Sequence, residues 1–239
     1  MRHYAPPRRI SRYGIAALAI FGSLAGTSHA QDPWAFSGGA AVVSDYRFRG
    51  LSQTMRDPAV QASISAARGG FTGSIWASNV EGFADAEIDF VLDYGFSHGD
   101  NNFNVGGIYY AYAGSGTDGL DYVEGYATWG RSFGDWSLGL AGYYSPDFFG
   151  GSGNATYSQA SASFAATEKV SINSYYGYQY VEESGVYGVP DYSVWSIGVS
   201  YTPDIVTFAL DYVDTDISDT ECGGNSCDGS LIASVSVSF

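Results

Sequence analysis

Period-two alternation constrains this chain more than any other feature. Apolar residues alternate with small or polar ones in twelve separate runs. Successive side chains of a β-strand point to opposite faces, so each run describes a strand with one apolar and one polar face. In the last run Leu231, Ala233, Val235, Val237 and Phe239 alternate with Ile232, Ser234, Ser236 and Ser238. Over 87–97, Ile88, Phe90, Leu92, Tyr94 and Phe96 share one face, and Glu87, Asp89, Asp93 and Ser97 the other. The runs Trp195, Ile197, Val199, Tyr201 and Val206, Phe208, Leu210, Tyr212 repeat the pattern. Weaker runs cover 35–48, 60–67, 71–78, 103–112, 122–133, 136–144, 156–165 and 170–180. The faint patterning of 60–78 and 156–165 leaves ten or fourteen strands open beside twelve.

The joins between runs sort into two kinds. Arg68-Gly69-Gly70, 98–102, Gly134-Asp135, 166–169 and 202–204 are short, whereas the joins between them are mostly longer and rich in Gly, Ser, Asp and Pro, as in 145–155 and 214–230. Short and long joins in alternation, with both ends of the chain on the short side, predict an all-β, closed antiparallel transmembrane β-barrel of about 12 strands. Its short turns would be periplasmic and its longer loops extracellular. Closure is required because lipid offers no water to an open sheet edge.

Composition agrees with this reading and removes other classes. The chain of 239 residues holds Gly 32, Tyr 20 and Phe 14, with only 15% charged residues. A net charge of −15 excludes a nucleic-acid coat, which needs clustered Lys and Arg. After residue 30 no stretch has the roughly 18 apolar residues of a transmembrane helix.

Residues 1–30 read as a cleaved signal peptide. Arg2, Arg8, Arg9 and Arg12 form a basic start, 14–26 is apolar, and Ser28-His29-Ala30 places small residues at the cleavage site. The remainder, 31–239, reads as one outer-membrane barrel domain with six basic residues against 25 acids, a net charge of about −19.

Two segments carry a family resemblance. Val43-Ser44-Asp45-Tyr46-Arg47-Phe48-Arg49-Gly50-Leu51-Ser52-Gln53 resembles the opening motif of the TorF-like porin family, long catalogued as a proteobacterial domain of unknown function. Phe239, ending an alternating strand, resembles the C-terminal membrane-insertion signal of outer-membrane barrels. The resemblance implies a small outer-membrane barrel that acts as a porin; it implies no particular solute.

Strict alternation assigns candidate lumen residues. With Tyr46 and Phe48 toward lipid, Asp45, Arg47 and Arg49 face inward, as do Glu87, Asp89, Asp93, Glu124 and Asp211. Two arginines among carboxylates form either a charged constriction that selects ions or an internal ion-pair network that shuts the barrel. Gly39, Ala41, Ser63, Ser65, Ser74, Gly139, Ser161, Ser163, Ser196, Gly198, Ser234 and Ser236 fall inward and leave room for water, while Tyr110, Tyr112, Tyr126, Tyr143 and Tyr175 narrow the passage. Tyr46, Phe48, Trp76, Tyr109, Trp129, Trp136, Tyr144, Tyr180, Trp195 and Tyr201 are expected in girdles at the strand ends.

Cys222 and Cys227 are expected to pair as a disulfide in the last long loop, closed over Gly223-Gly224-Asn225-Ser226. A two-thiol metal site with Asp219, Glu221 and Asp228 is the weaker alternative, and the loop acids lack a contiguous Ca²⁺ motif. No cofactor or resident metal is expected. No enzyme is expected either: beyond the signal there is one histidine, His98, in a short turn, and no nucleophile motif accompanies it.

The sequence therefore predicts a channel for passive, cation-favouring diffusion of ions or small hydrophilic solutes. The alternative is a non-conducting structural or adhesive barrel acting through acidic loops. The expected partners are outer-membrane lipid and lipopolysaccharide, the barrel-insertion machinery and periplasmic chaperones, with no nucleic acid.

Overall fold

The computed structural model describes residues 33–239, so the expected signal peptide lies outside the described residues. The elements in chain order are β1 (Ala35–Val43), β2 (Arg47–Phe48), β3 (Leu51–Ser52), β4 (Ala59–Arg68), β5 (Phe71–Asn79), β6 (Ala86–His98), β7 (Asn101–Ala113), β8 (Tyr122–Phe133), β9 (Trp136–Ser145), β10 (Ala155–Ala165), β11 (Val170–Val181), α1 (Ser184–Tyr187), β12 (Tyr192–Tyr201), β13 (Val206–Thr215), α2 (Asp219–Cys222) and β14 (Ser230–Ser238). Twelve of the strands pair antiparallel, each with its neighbour, and β14 pairs with β1 to close the barrel. The β2–β3 hairpin stands apart as its own two-stranded sheet.

The seam is sealed at the C-terminus. The Phe239 N–H donates to the Gly38 carbonyl at 3.0 Å, and the Gly38 N–H donates back to the Phe239 carbonyl at 2.9 Å. The Phe239 ring lies over Gly38, where a Cβ would come within 3.0 Å of it. Glycine at 38 therefore lets the last side chain close against the first strand.

The distribution of polarity is inverted relative to a water-soluble sandwich. Val60, Ile64, Leu92, Leu140, Ile197 and Leu231 all stand exposed on the outer face. In water an apolar belt of this extent would be unfavourable by about 25 cal/mol per Å². In a bilayer it is the required surface. No helix of the described residues is long and apolar enough to cross a membrane.

Two sequence expectations fail here. The first run does not continue to residue 48: β1 ends at Val43, and the chain turns into the barrel. Tyr46 and Phe48, expected in the lipid girdle, are buried inside it. Trp76, also expected in the girdle, faces inward from β5 and packs on Tyr46 with ring centroids 5.3 Å apart. Trp76 shares the inward face with Thr72, Ser74 and Ser78, and an inward-folded loop supplies its apolar partner.

Candidate functional site

The segment 44–58 folds into the barrel interior. Ser44 is the branch point: its N–H donates to the Ala233 carbonyl and its hydroxyl accepts the Ala233 N–H, both at 2.9 Å. This satisfies the edge of β14 while β1 departs. The β2–β3 hairpin then turns at Arg49-Gly50, with φ of 48° and 90°. Left-handed backbone at both central residues is the type I′ geometry that fits a two-residue hairpin, and glycine favours its second position. A side chain at 50 would also collide with the wall, since a Cβ would lie 2.6 Å from Thr215 and 2.7 Å from Val194.

The turn carries Arg49 across the lumen. One guanidinium nitrogen donates to Glu124 of β8 at 2.6 Å, and another to Gln179 Oε1 of β11 at 2.8 Å. Four rings surround the same guanidinium: Tyr157 at 4.5 Å, Phe48 at 4.7 Å, Tyr143 at 5.1 Å and Phe148 at 5.7 Å from their centroids. The Arg49 and Glu124 side chains are 1% and 0% exposed. Charges so placed bear a large desolvation cost, which only a paired and caged geometry offsets.

Arg47 fastens the other side of the hairpin. Its Nε donates to Asp45 at 2.7 Å, and its NH1 serves the carbonyls of Gly50 at 2.8 Å, Asp228 at 2.9 Å and Ser226 at 3.1 Å. Asp45 also accepts the Ser52 hydroxyl at 2.6 Å. The hairpin is thus cross-braced within itself and to the loop after β13.

Around this plug the long-loop half of the lumen is packed solid. Every barrel strand except β1 contributes a buried inward side chain there: Ala59, Ser78, Glu87, Tyr110, Glu124, Tyr143, Tyr157, Gln179, Val194, Val213 and Ile232, in strand order. Phe148 and Tyr187 enter from two further loops and meet at 5.2 Å. The Tyr46 and Tyr112 hydroxyls face the Glu87 carboxyl, and Asp89 stands within Coulomb reach of Glu87 and Glu124.

The other half is different. Toward the short turns the inward positions are small and polar, and Ser63, Ser65, Gly139, Ser161, Ser163 and Ser236 keep partial contact with solvent. Asp93 and Asp211 sit midway along their strands. The Tyr126 hydroxyl bonds to Asp93. Asp211 lies over Gly198, where an added Cβ would run into its carboxylate. Inward strand positions carry five acids, Glu87, Asp89, Asp93, Glu124 and Asp211, and no Lys or Arg. Arg68 and Arg131 face outward near the short turns, over the rings of Trp34 and Phe133.

Glu87, Asp89, Asp93, Glu124 and Asp211 lie on inward strand faces. Asp45, Arg47 and Arg49 arrive by an inward hairpin and not on a strand face, and they pair with Arg47–Asp45 and Arg49–Glu124 contacts. Cys222 and Cys227 are joined, with Cα atoms 6.0 Å apart. Sequence reasoning passed over Gln179, Tyr157, Phe148 and Tyr187. The available signal for the inward turn was Gly50, two residues past the end of the first run, because glycine marks turns.

Residues 27–239 match the family model described as bacterial protein of unknown function (Gcw_chp). The chain belongs to that family. No curated protein matches it. Among solved structures it is similar to the KdgM porin at TM-score 0.57 and 10% identity, covering 85% of this chain and 98% of that one. It is also similar to the NanC porin at TM-score 0.53 and 12% identity, with 85% and 98% covered. A KdgM porin in complex with disordered oligogalacturonate matches at TM-score 0.57 and 10% identity, with 86% and 98% covered. At such identities the likeness establishes the twelve-stranded barrel fold.

Proposed function

We propose that this protein is a porin-like channel of the outer membrane, exported with a cleaved signal and inserted through a C-terminal signal ending in Phe239. It serves passive, cation-favouring diffusion of ions or small hydrophilic solutes. The short turns are periplasmic and the long loops extracellular. The observation that carries this reading is the lumen wall beyond the hairpin: toward the short turns serines and glycines keep partial contact with solvent, two inward acids, Asp93 and Asp211, stand midway along the strands, and no inward position of the barrel strands carries a base. Such a wall attracts cations and is unfavourable for a polyanion such as the oligogalacturonate named with one KdgM porin structure. The fold likeness to porins and the resemblance of 43–53 to the TorF-like motif support the same reading.

A second reading, a non-conducting barrel, is favoured by the packed extracellular half. Planar-bilayer recording across a KCl gradient separates the two, using wild type and a plug-loosened Arg49→Ala variant. Discrete steps with a cation-favouring reversal potential are expected, at least from the variant. Asp93→Asn with Asp211→Asn should then move the reversal potential toward zero. Silence from both proteins, shown to be folded by heat-modifiable gel mobility, would establish the non-conducting barrel.

A further inference from the structure

The loop after β13 touches the plug more closely than a neighbouring loop needs to. Cys222 and Cys227 close a ring over Gly223, Gly224, Asn225 and Ser226. Without that closure two consecutive glycines would leave the segment with little preferred shape. With it, the ring presents backbone carbonyls to the plug in fixed positions. The Ser226 carbonyl accepts the Ser52 N–H at 2.9 Å and Arg47 at 3.1 Å. The Asn225 carbonyl accepts Arg56 at 3.1 Å, and the Asp228 carbonyl, just past the ring, accepts Arg47 at 2.9 Å. Leu51 of the hairpin packs against the apolar cluster that contains Cys227. The Thr215 hydroxyl donates to the Cys227 carbonyl at 3.0 Å and ties the ring to the wall.

Nothing comparable holds the plug through strand pairing. Apart from the Ser44 branch point, its attachments are side chains, ring carbonyls and loop contacts, all of which can exchange for water. We infer that the disulfide-closed ring 222–227 is a latch, and that the segment 44–58 is a gate held shut by it and not a permanent lining of the lumen. The inference rests on the channel reading only for what opening would accomplish; the latch itself is a structural statement.

Trypsin tests the latch without reference to conduction. The bonds after Arg47 and Arg49 are buried in the seated plug and become cleavable only when it leaves. In folded Cys222→Ser/Cys227→Ser protein, the initial rate of cutting after Arg47 and Arg49, mapped by mass spectrometry, should exceed that of wild type by at least about tenfold, the equilibrium effect of losing one or two net hydrogen bonds. Dithiothreitol added to wild type already folded in detergent should do the same, and this arm stands if the double variant fails to fold. Wild-type resistance after verified reduction would overturn the latch. Increased cutting with rising conductance supports both latch and channel. Increased cutting in a silent barrel supports the latch and overturns the channel.

Discussion

The two halves of the lumen are built by the same strands under the same alternation, yet they are filled in opposite ways. At the long-loop end Tyr110, Tyr143, Tyr157 and Glu124 point inward, and an imported hairpin fills what remains between them. At the short-turn end the inward residues are Ser63, Ser161, Gly139 and their like. Alternation decides which side chains face the interior. Whether that interior is solid or hydrated depends on side-chain size and on the loops, because a ring of twelve strands is wider than serine side chains can span.

The sharpest way to break the contrast is to remove the arginine that unites the solid half. Arg49→Ala leaves Glu124 without its cation in a dry site. Removing one partner of a buried pair costs about 3–5 kcal/mol, so the seated plug should lose to the hydrated, unseated one by a factor of about 100 or more. The check is the rate of tryptic cutting after Arg47, and an unchanged rate would mean that the rings alone hold the hairpin.

A smaller effect is expected in the middle of the wall. Gly198→Ala drives a methyl into the Asp211 carboxylate and should destabilise the folded barrel by about 1–3 kcal/mol in urea unfolding. Gly125→Ala is the control: a Cβ there meets nothing within 4 Å, and the change should stay within about 0.5 kcal/mol. Equal losses from both would show that the Asp211 contact does not matter.

The smallest effect belongs to the loop tips. Hydrogen bonds from the Asn154 side chain and N–H hold the Glu182 carboxyl below its usual range, and the Ser218 hydroxyl and N–H do the same for Glu221. A depressed carboxylate adds order that is fully present above the ordinary glutamate pKa and is lost as pH falls through the lowered folded value. Amide exchange at Asn154 and Ser218 should therefore stay slow from neutral pH down to the ordinary glutamate range and quicken below it, after allowance for the intrinsic pH dependence of exchange. Protection lost already at neutral pH would contradict these bonds.

Much of this molecule is legible residue by residue. The last strand, from Leu231 to Phe239, shows its facing, its end and its place at the seam in plain alternation. Glu87, Asp89, Asp93, Glu124 and Asp211 are assigned inward by the same rule, and so are the small residues toward the short turns. The rule fails where its own signal misleads. From Asp45 to Arg49 the polar-aromatic alternation continues unbroken, although Arg49-Gly50 is a type I′ turn and Tyr46 and Phe48 belong to a core. Trp76 misleads for the same reason, because a large ring reads as lipid-facing until its partner Tyr46 is known to be inside.

The sequence by itself determined the barrel, the facing of its inward acids and the pairing of its two cysteines. These depend on neighbours two to five residues apart, and on a lipid environment that permits no open edge. Only the tertiary structure decided that the segment 44–58 folds into the long-loop half of the lumen. Arg49 finds Glu124 75 positions away and Gln179 130 positions away, and Arg47 reaches Ser226 across 179. Contacts at such separations leave no local period. They exist because the closed barrel brings its walls around the hairpin, where a buried cation has to meet an anion and a cage of rings.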